Sequence, residues 1–190
     1  MKGGASGVGG PRGRGRTGQR GWLRLSFEKR SGRTVLVEKF ASAPFGAVRA
    51  NYPDGSGMAE VQITNPSGGI LGGDHLEMEV AVAPGASATV ITQAANKAYR
   101  GAGSSQRAVF RVEGGPFLEY LPHHLIPYPN SDYRQTARFH LVPDAALIAW
   151  DAFAAGRVAR GEMFAFTRLR SQTEIHRDGI PEAIDGLDLP

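Results

Sequence analysis

The side chains of this 190-residue chain that could do chemistry are carboxylates and imidazoles. There is no cysteine, which removes thiolate metal sites and thiol redox chemistry and leaves His, Asp and Glu as the strong metal ligands. The candidates are Asp74, Glu77, Glu119, Asp151 and Glu162, with His75, His123, His124, His140 and His176. Catalysis needs a nucleophile, a base and a stabiliser brought together. No G-x-S-x-G, HExxH or P-loop accompanies these residues, so the chain is read as a non-enzyme. His123-His124 has the look of a metal pair, but neighbours in a strand point to opposite faces. The two could share an ion only where the backbone bends, and Pro122 and Pro127 do make that segment irregular.

The run NPSGGILGGD, Asn65 to Asp74, serves backbone geometry. Pro66 fixes the entry, and Gly68-Gly69 and Gly72-Gly73 supply positive φ and close approach. Ile70 and Leu71 between the pairs are expected to anchor the loop in a core. Asp74 has two open roles: a polar lining group, or an Asx-type acceptor for the loop's own amides. Beside it, His75 opens HLEMEVAV, whose alternation marks a half-buried strand.

These residues must be positioned by short strands. One domain of this length can bury a core without staples. LRLSF (Leu23 to Phe27), a KRSGR turn and TVLVEKF (Thr34 to Phe40) read as a hairpin, followed by AEVQIT, His75 to Val82, and SATVIT after Pro84-Gly85. VAPGA, VEGGP and LVPDA each end one strand and start another about 30 residues apart, which suggests stacked sheets in a sandwich or a solenoid-like coil. AALIAWDAF (Ala145 to Phe153) is apolar enough for a fully buried strand, and QAANKAY (Gln93 to Tyr99) is the better helix candidate. The fold class is mainly β: a stacked two-sheet, β-helix-like or sandwich-like domain with few short helices.

Charge divides the chain. Residues 1–21 hold Lys2, Arg12, Arg14, Arg16 and Arg20 with no acid, leaving 17 basic against 18 acidic groups in 22–190. Nine of the 26 glycines also fall in 1–21, so this segment is expected to be a disordered tail, and the globular domain to start at Trp22. It has no apolar h-region of a signal peptide, and no run reaches the roughly 18 apolar residues of a membrane span. A soluble, cytoplasmic protein is expected; the lack of Cys suits a reducing compartment.

NPSGGILGGD, TQAANKAYR (Thr92 to Arg100), LEYLPHHLIPY (Leu118 to Tyr128) and GRVARGE (Gly156 to Glu162), in this order, resemble the urease accessory protein family UreD, called UreH in some organisms. The resemblance runs from about Trp22 to the last residue. It implies a mostly β, helix-like stack of two sheets and a maturation scaffold that joins apo-urease, UreF and the GTPase UreG, with a possible homo-oligomer through UreF. No tightly bound cofactor is implied, only nickel in transit.

The resemblance also implies roles. Asp74 and His75 would line a polar nickel passage, and Asp185 falls at an acidic position of the same passage; carboxylate oxygen and imidazole nitrogen both suit Ni²⁺. Lys97, Tyr99 and Arg100 match a K-x-Y-R element, with Lys97 able to pair with Asp74 or Glu119. Arg157, Arg160 and Glu162 suggest an ion pair or a partner contact. The family domain is expected to continue some tens of residues past Pro190. The competing reading is a β-rich ligand- or nucleic-acid-binding module without a urease role, against which the aromatics are spread singly rather than clustered for stacking.

Overall fold

The structure, a computed structural model, describes residues 18–115 and 117–190. Most of the expected tail therefore lies outside the described residues. Its last positions do not behave as a tail, because Arg20 and Gly21 already belong to the first strand.

Alternating runs broken by Gly and Pro give, in chain order, β1 (Arg20–Arg30), β2 (Arg33–Ala41), β3 (Gly46–Ala47), β4 (Ala59–Thr64), β5 (His75–Val82), β6 (Ser87–Thr92), β7 (Asn96–Ala98) and β8 (Ser104–Val112). They continue as β9 (Phe117–Leu121), β10 (Leu125–Pro127), β11 (Asp132–Leu141), β12 (Ala146–Ala149), β13 (Gly156–Arg157), β14 (Glu162–Met163), β15 (Arg168–Arg177) and β16 (Ile180–Leu189). Among the described residues the one helical element is a 3-10 turn, Val158–Arg160. The β1–β2 hairpin forms as expected, with Ser31 and Gly32 both at positive φ in its turn.

Seven strands form a large sheet in the order β16-β15-β11-β8-β5-β1-β2, and five form a second, β12-β9-β6-β4-β3. The central neighbours in both pair in parallel. Parallel neighbours cannot be joined by a hairpin. The chain instead alternates between sheets, coiling so that His75 lies beside Ser105 and Thr89 beside Glu119, each 30 residues on. Of the two arrangements that the strand pattern left open, this is the solenoid-like coil.

Period-2 alternation sends one side of each strand inward. Leu23, Leu25, Met78, Val80, Ala108, Phe110 and Phe139 of the large sheet face Val61, Ala88, Val90, Leu118 and Tyr120 of the second in one buried cluster. Phe110 stacks on Phe139 with ring centroids 4.4 Å apart and touches Tyr120 at 4.6 Å. Burying each such side chain contributes about 1.5–3 kcal/mol.

Two element expectations are corrected. Gln93–Tyr99 is not helical: β7 occupies its centre, because pairing with β10 satisfies backbone groups that a helix this short would leave to water. Ala145–Phe153 is not a fully buried strand: β12 is the edge of the second sheet, and Ile148 and Trp150 are exposed.

Gly21 lies in register with Leu76, and the backbone N–H of His75 donates to the Gln19 carbonyl at 2.8 Å. Deleting residues 1–21 should therefore cost at least about 1 kcal/mol more than deleting residues 1–17, measured as the difference between their denaturant midpoints. Equal stability of the two shortened chains would show that the start of β1 contributes nothing.

Candidate functional site

Each coil has a short third side between the second sheet and the return to the large one. Ile70 bridges to Ala98, β7 pairs with β10, and Leu125 bridges to Phe153, all in parallel. The four sequence motifs lie on or beside this side, so residues far apart in the chain become neighbours. Ile70, Leu76, Ala98, Leu125, Tyr133, Phe166 and Leu169 form a second buried cluster beneath them. Ile70 anchors the double-glycine loop as expected, whereas Leu71 is exposed.

The glycines are required by close approach. A Cβ on Gly72 would lie 2.5 Å from the Gly101 Cα, and one on Gly69 would strike the Lys97 carbonyl. Gly68 and Gly73 have φ of 72° and 88°, in the left-handed region that costs other residues about 1–2 kcal/mol. Asn65, beside Pro66, organises the turn: its Oδ1 accepts from Ser67 N–H and its Nδ2 donates to the Gly69 carbonyl. Sequence reasoning passed over Asn65, although an Asn-Pro pair opening a glycine loop is an Asx-turn signal. Tyr99 packs its ring edge-on to Tyr128 at 5.0 Å, and the Arg157 guanidinium lies over the other ring of this pair, Tyr128, at 4.5 Å. Arg157 is held by both carboxylate oxygens of Glu162. Arg100 is exposed.

The placement of Asp74 and His75 departs from the expectation that both line a passage. Asp74 is buried; its Oδ1 accepts from Gln19 N–H and its Oδ2 from Leu71 N–H, each at 2.8 Å. Both oxygens are used on backbone amides, so the residue caps the loop. His75 begins β5 on the outer, exposed face, with Nδ1 2.8 Å from Ser105 Oγ. Lys97 makes no ion pair with Asp74 or Glu119 among the described residues, and Glu119 instead accepts from Thr89 Oγ1.

Between the two sheets and the third side lies a cavity of about 460 Å³. Its walls come from successive coils, from Asn65 and Met78 through Gln106 and His123 to Gln135, Asp151, Thr173 and Asp185. Asp185, Lys97 and His123 line it as well. Asp151 stands exposed on the cavity wall, and Gln135 Nε2 and Ser171 Oγ donate to its Oδ2 at 2.6 and 2.8 Å. Gln135 in turn accepts from the buried Tyr133 hydroxyl. Partial desolvation by the surrounding atoms raises the Asp151 pKa above the ordinary carboxylate value, the two hydrogen bonds oppose the rise, and the charge of Asp185 adds to it. The only hint of this network in the sequence is a polar residue, Gln135 or Ser171, at an inward position of an alternating strand. Among the described residues no group of three or more His, Asp or Glu is placed to hold a metal ion, and no helix is long and apolar enough to cross a membrane.

A parallel two-sheet coil with an open, carboxylate-bearing cavity and a motif-bearing third side is the class of protein that this fold and site define. Residues 19–190 match the family described as UreD urease accessory protein. The chain is 37% identical over 175 residues to the urease accessory protein UreD of Trichormus variabilis, covering 91% of this chain and 63% of that protein. It is 36% identical over 175 residues to the UreD of a Nostoc species, with 91% and 63% covered, and 37% identical over 161 residues to that of Dechloromonas aromatica, with 84% and 56% covered. The chain belongs to the UreD family, and spans 56–63% of the length of these three relatives.

Two predictions separate the aspartates. Asp74→Ala strips two backbone donors of their acceptors and should destabilise the fold by about 1–3 kcal/mol, with Asp74→Asn, which keeps one acceptor, losing less; unchanged thermal midpoints would refute the capping role. For Asp151 the sign is reversed. Its raised pKa means that the ionised form is disfavoured in the fold, a penalty that is absent below the ordinary value of 3.8 and complete above the raised one. Asp151→Asn keeps an acceptor for Gln135 and Ser171 without the charge. It should be more stable than the wild type at neutral pH, with an advantage that shrinks as pH falls through the raised pKa towards the ordinary 3.8. A difference that does not vary with pH would rule out the charge as its cause.

Proposed function

We propose that this chain acts as a non-catalytic urease maturation factor in the cytoplasm, binding apo-urease together with UreF and UreG, and that nickel is its cargo, moving through the internal cavity. The observation that carries this reading is the pair Asp151 and Asp185 on the wall of one cavity, where the charge of Asp185 adds to the rise in the Asp151 pKa. A divalent cation between them would relieve that repulsion. Carboxylate, amide and imidazole groups are all acceptable ligands for Ni²⁺, and Gln135 and His123 stand on the same wall. Two carboxylates leave most of the coordination shell to water, so the ion is attracted without being caged. Asp74 supports the passage from outside by holding the double-glycine loop, not by touching the metal.

Asp151→Asn and Asp185→Asn, singly and together, should lower the nickel content per urease active site in cells, while pull-downs with UreF and apo-urease stay as for the wild type. Full nickel loading with both carboxylates removed would overturn the passage through this cavity.

A further inference from the structure

In the polar group around Asp151 each side-chain proton has one destination. The buried Tyr133 hydroxyl donates to Gln135 Oε1 at 3.1 Å. That turns the other end of the amide towards Asp151, where Nε2 donates to Oδ2 at 2.6 Å and to Ser171 Oγ at 3.1 Å. Ser171, also buried, directs its own proton to the same Oδ2 at 2.8 Å. The reverse orientation would turn the amide carbonyl towards an ionised carboxylate, which can only accept, so the orientation is fixed.

These polar groups occupy positions that the strand pattern gives to the core. Gln135 lies on the inward side of β11 with Tyr133 and Phe139, and Ser171 on that of β15 with Leu169. A buried amide or hydroxyl is destabilising unless its hydrogen bonds are met, whereas apolar side chains would fill both positions without that demand. Gln135 and Ser171 converge instead on one oxygen, Asp151 Oδ2. Oδ1 takes no side-chain hydrogen bond among the described residues, although the Ala152 N–H acts on the carboxylate as well.

The network also links the two carboxylates of the cavity. Gln135 is the cross-strand partner of Ser171, and on the other side of β15 Ser171 stands opposite Leu187 and Thr173 opposite Asp185. Ser171 therefore ties the segment after β12, which carries Asp151, to the hairpin that carries Asp185. We propose that Tyr133, Gln135 and Ser171 are positioning residues: they engage one oxygen of Asp151 within the protein and hold this carboxylate in a set relation to Asp185, so that a hydrated divalent cation meets a preformed pair. The proposal rests on the nickel-passage reading and adds to it the groups that prepare the site. Gln135, with its carbonyl and amide already engaged, acts on the ion through Asp151. Outer groups that fix the orientation of a carboxylate ligand set affinity in this way, because the ion does not have to order the site on arrival.

The test is calorimetric titration of the purified chain with nickel chloride, at a temperature where thermal melting shows each variant to be folded. The chains are the wild type, Tyr133→Phe, Ser171→Ala, Asp151→Asn, and Asp151→Asn combined with Ser171→Ala. Tyr133→Phe and Ser171→Ala should each weaken nickel binding by about tenfold or more. In the Asp151→Asn chain, whose residual binding through Asp185 is read at higher nickel concentration, Ser171→Ala should cause no further loss, since the hydroxyl acts through the missing carboxylate. A general loosening of the fold would weaken both backgrounds alike. Equal affinities of the wild type, Tyr133→Phe and Ser171→Ala, or the same loss from Ser171→Ala in both backgrounds, would overturn the positioning role alone. A wild-type chain that takes up no nickel, or an Asp151→Asn chain that binds it as tightly as the wild type, would overturn the passage through this cavity and the positioning role with it.

Discussion

Parallel pairing at an offset of 29 to 30 residues through the central coils is the constraint on which the rest of this molecule depends. Once His75 stands beside Ser105 and Ser104 beside Tyr133, each coil must spend nearly the same number of residues on its two sheets and its third side. The apolar alternation then falls into register from coil to coil, stacking Val80, Phe110 and Phe139 in one buried row. The same register brings Ile70, Ala98, Leu125 and Phe153 into line, so that motifs separated in sequence form one surface. Asp74 secures the coil that contains the double-glycine loop, joining the amides of Gln19 and Leu71 through one carboxylate.

The strands, the hairpin and the period of the coil were legible because they rest on local alternation and turn chemistry. β5 and β6 occupy the runs that alternation marks. What failed depended on neighbours. Gln93–Tyr99 reads as a helix in isolation, and only the presence of β10 makes it a strand. Ala145–Phe153 reads as buried because composition does not say that β12 is an edge. The start of the domain was placed at Trp22, since Arg20 and Gly21 look like the basic, glycine-rich residues before them, yet their partners on β5 hold them in the sheet.

The candidate site was less legible, for a related reason. Asp74 and His75 are adjacent in sequence, but at the start of a strand adjacency sends one side chain in and the other out. The carboxylate that shares the cavity wall with Asp185 is Asp151, a candidate by residue type whose place beside an edge strand the apolar run around it did not reveal. The fold keeps this acid in a setting that disfavours its charge. Such an arrangement is unfavourable for folding and useful for attracting a cation.

In a coil of this kind each turn is held mainly by the turns on either side of it. The β15–β16 hairpin lies at one edge of the large sheet, and β16 is exposed along nearly its whole length. It is thus among the first parts to open by local fluctuation. Because Asp185 belongs to β16 and Asp151 to the body, every such opening pulls one carboxylate away from the other. An ion held by both would act as a stitch, shifting the hairpin towards its closed form by the free energy of its own binding. On the proposed reading, residence of such an ion and fraying of the sheet edge would be two readings of a single equilibrium.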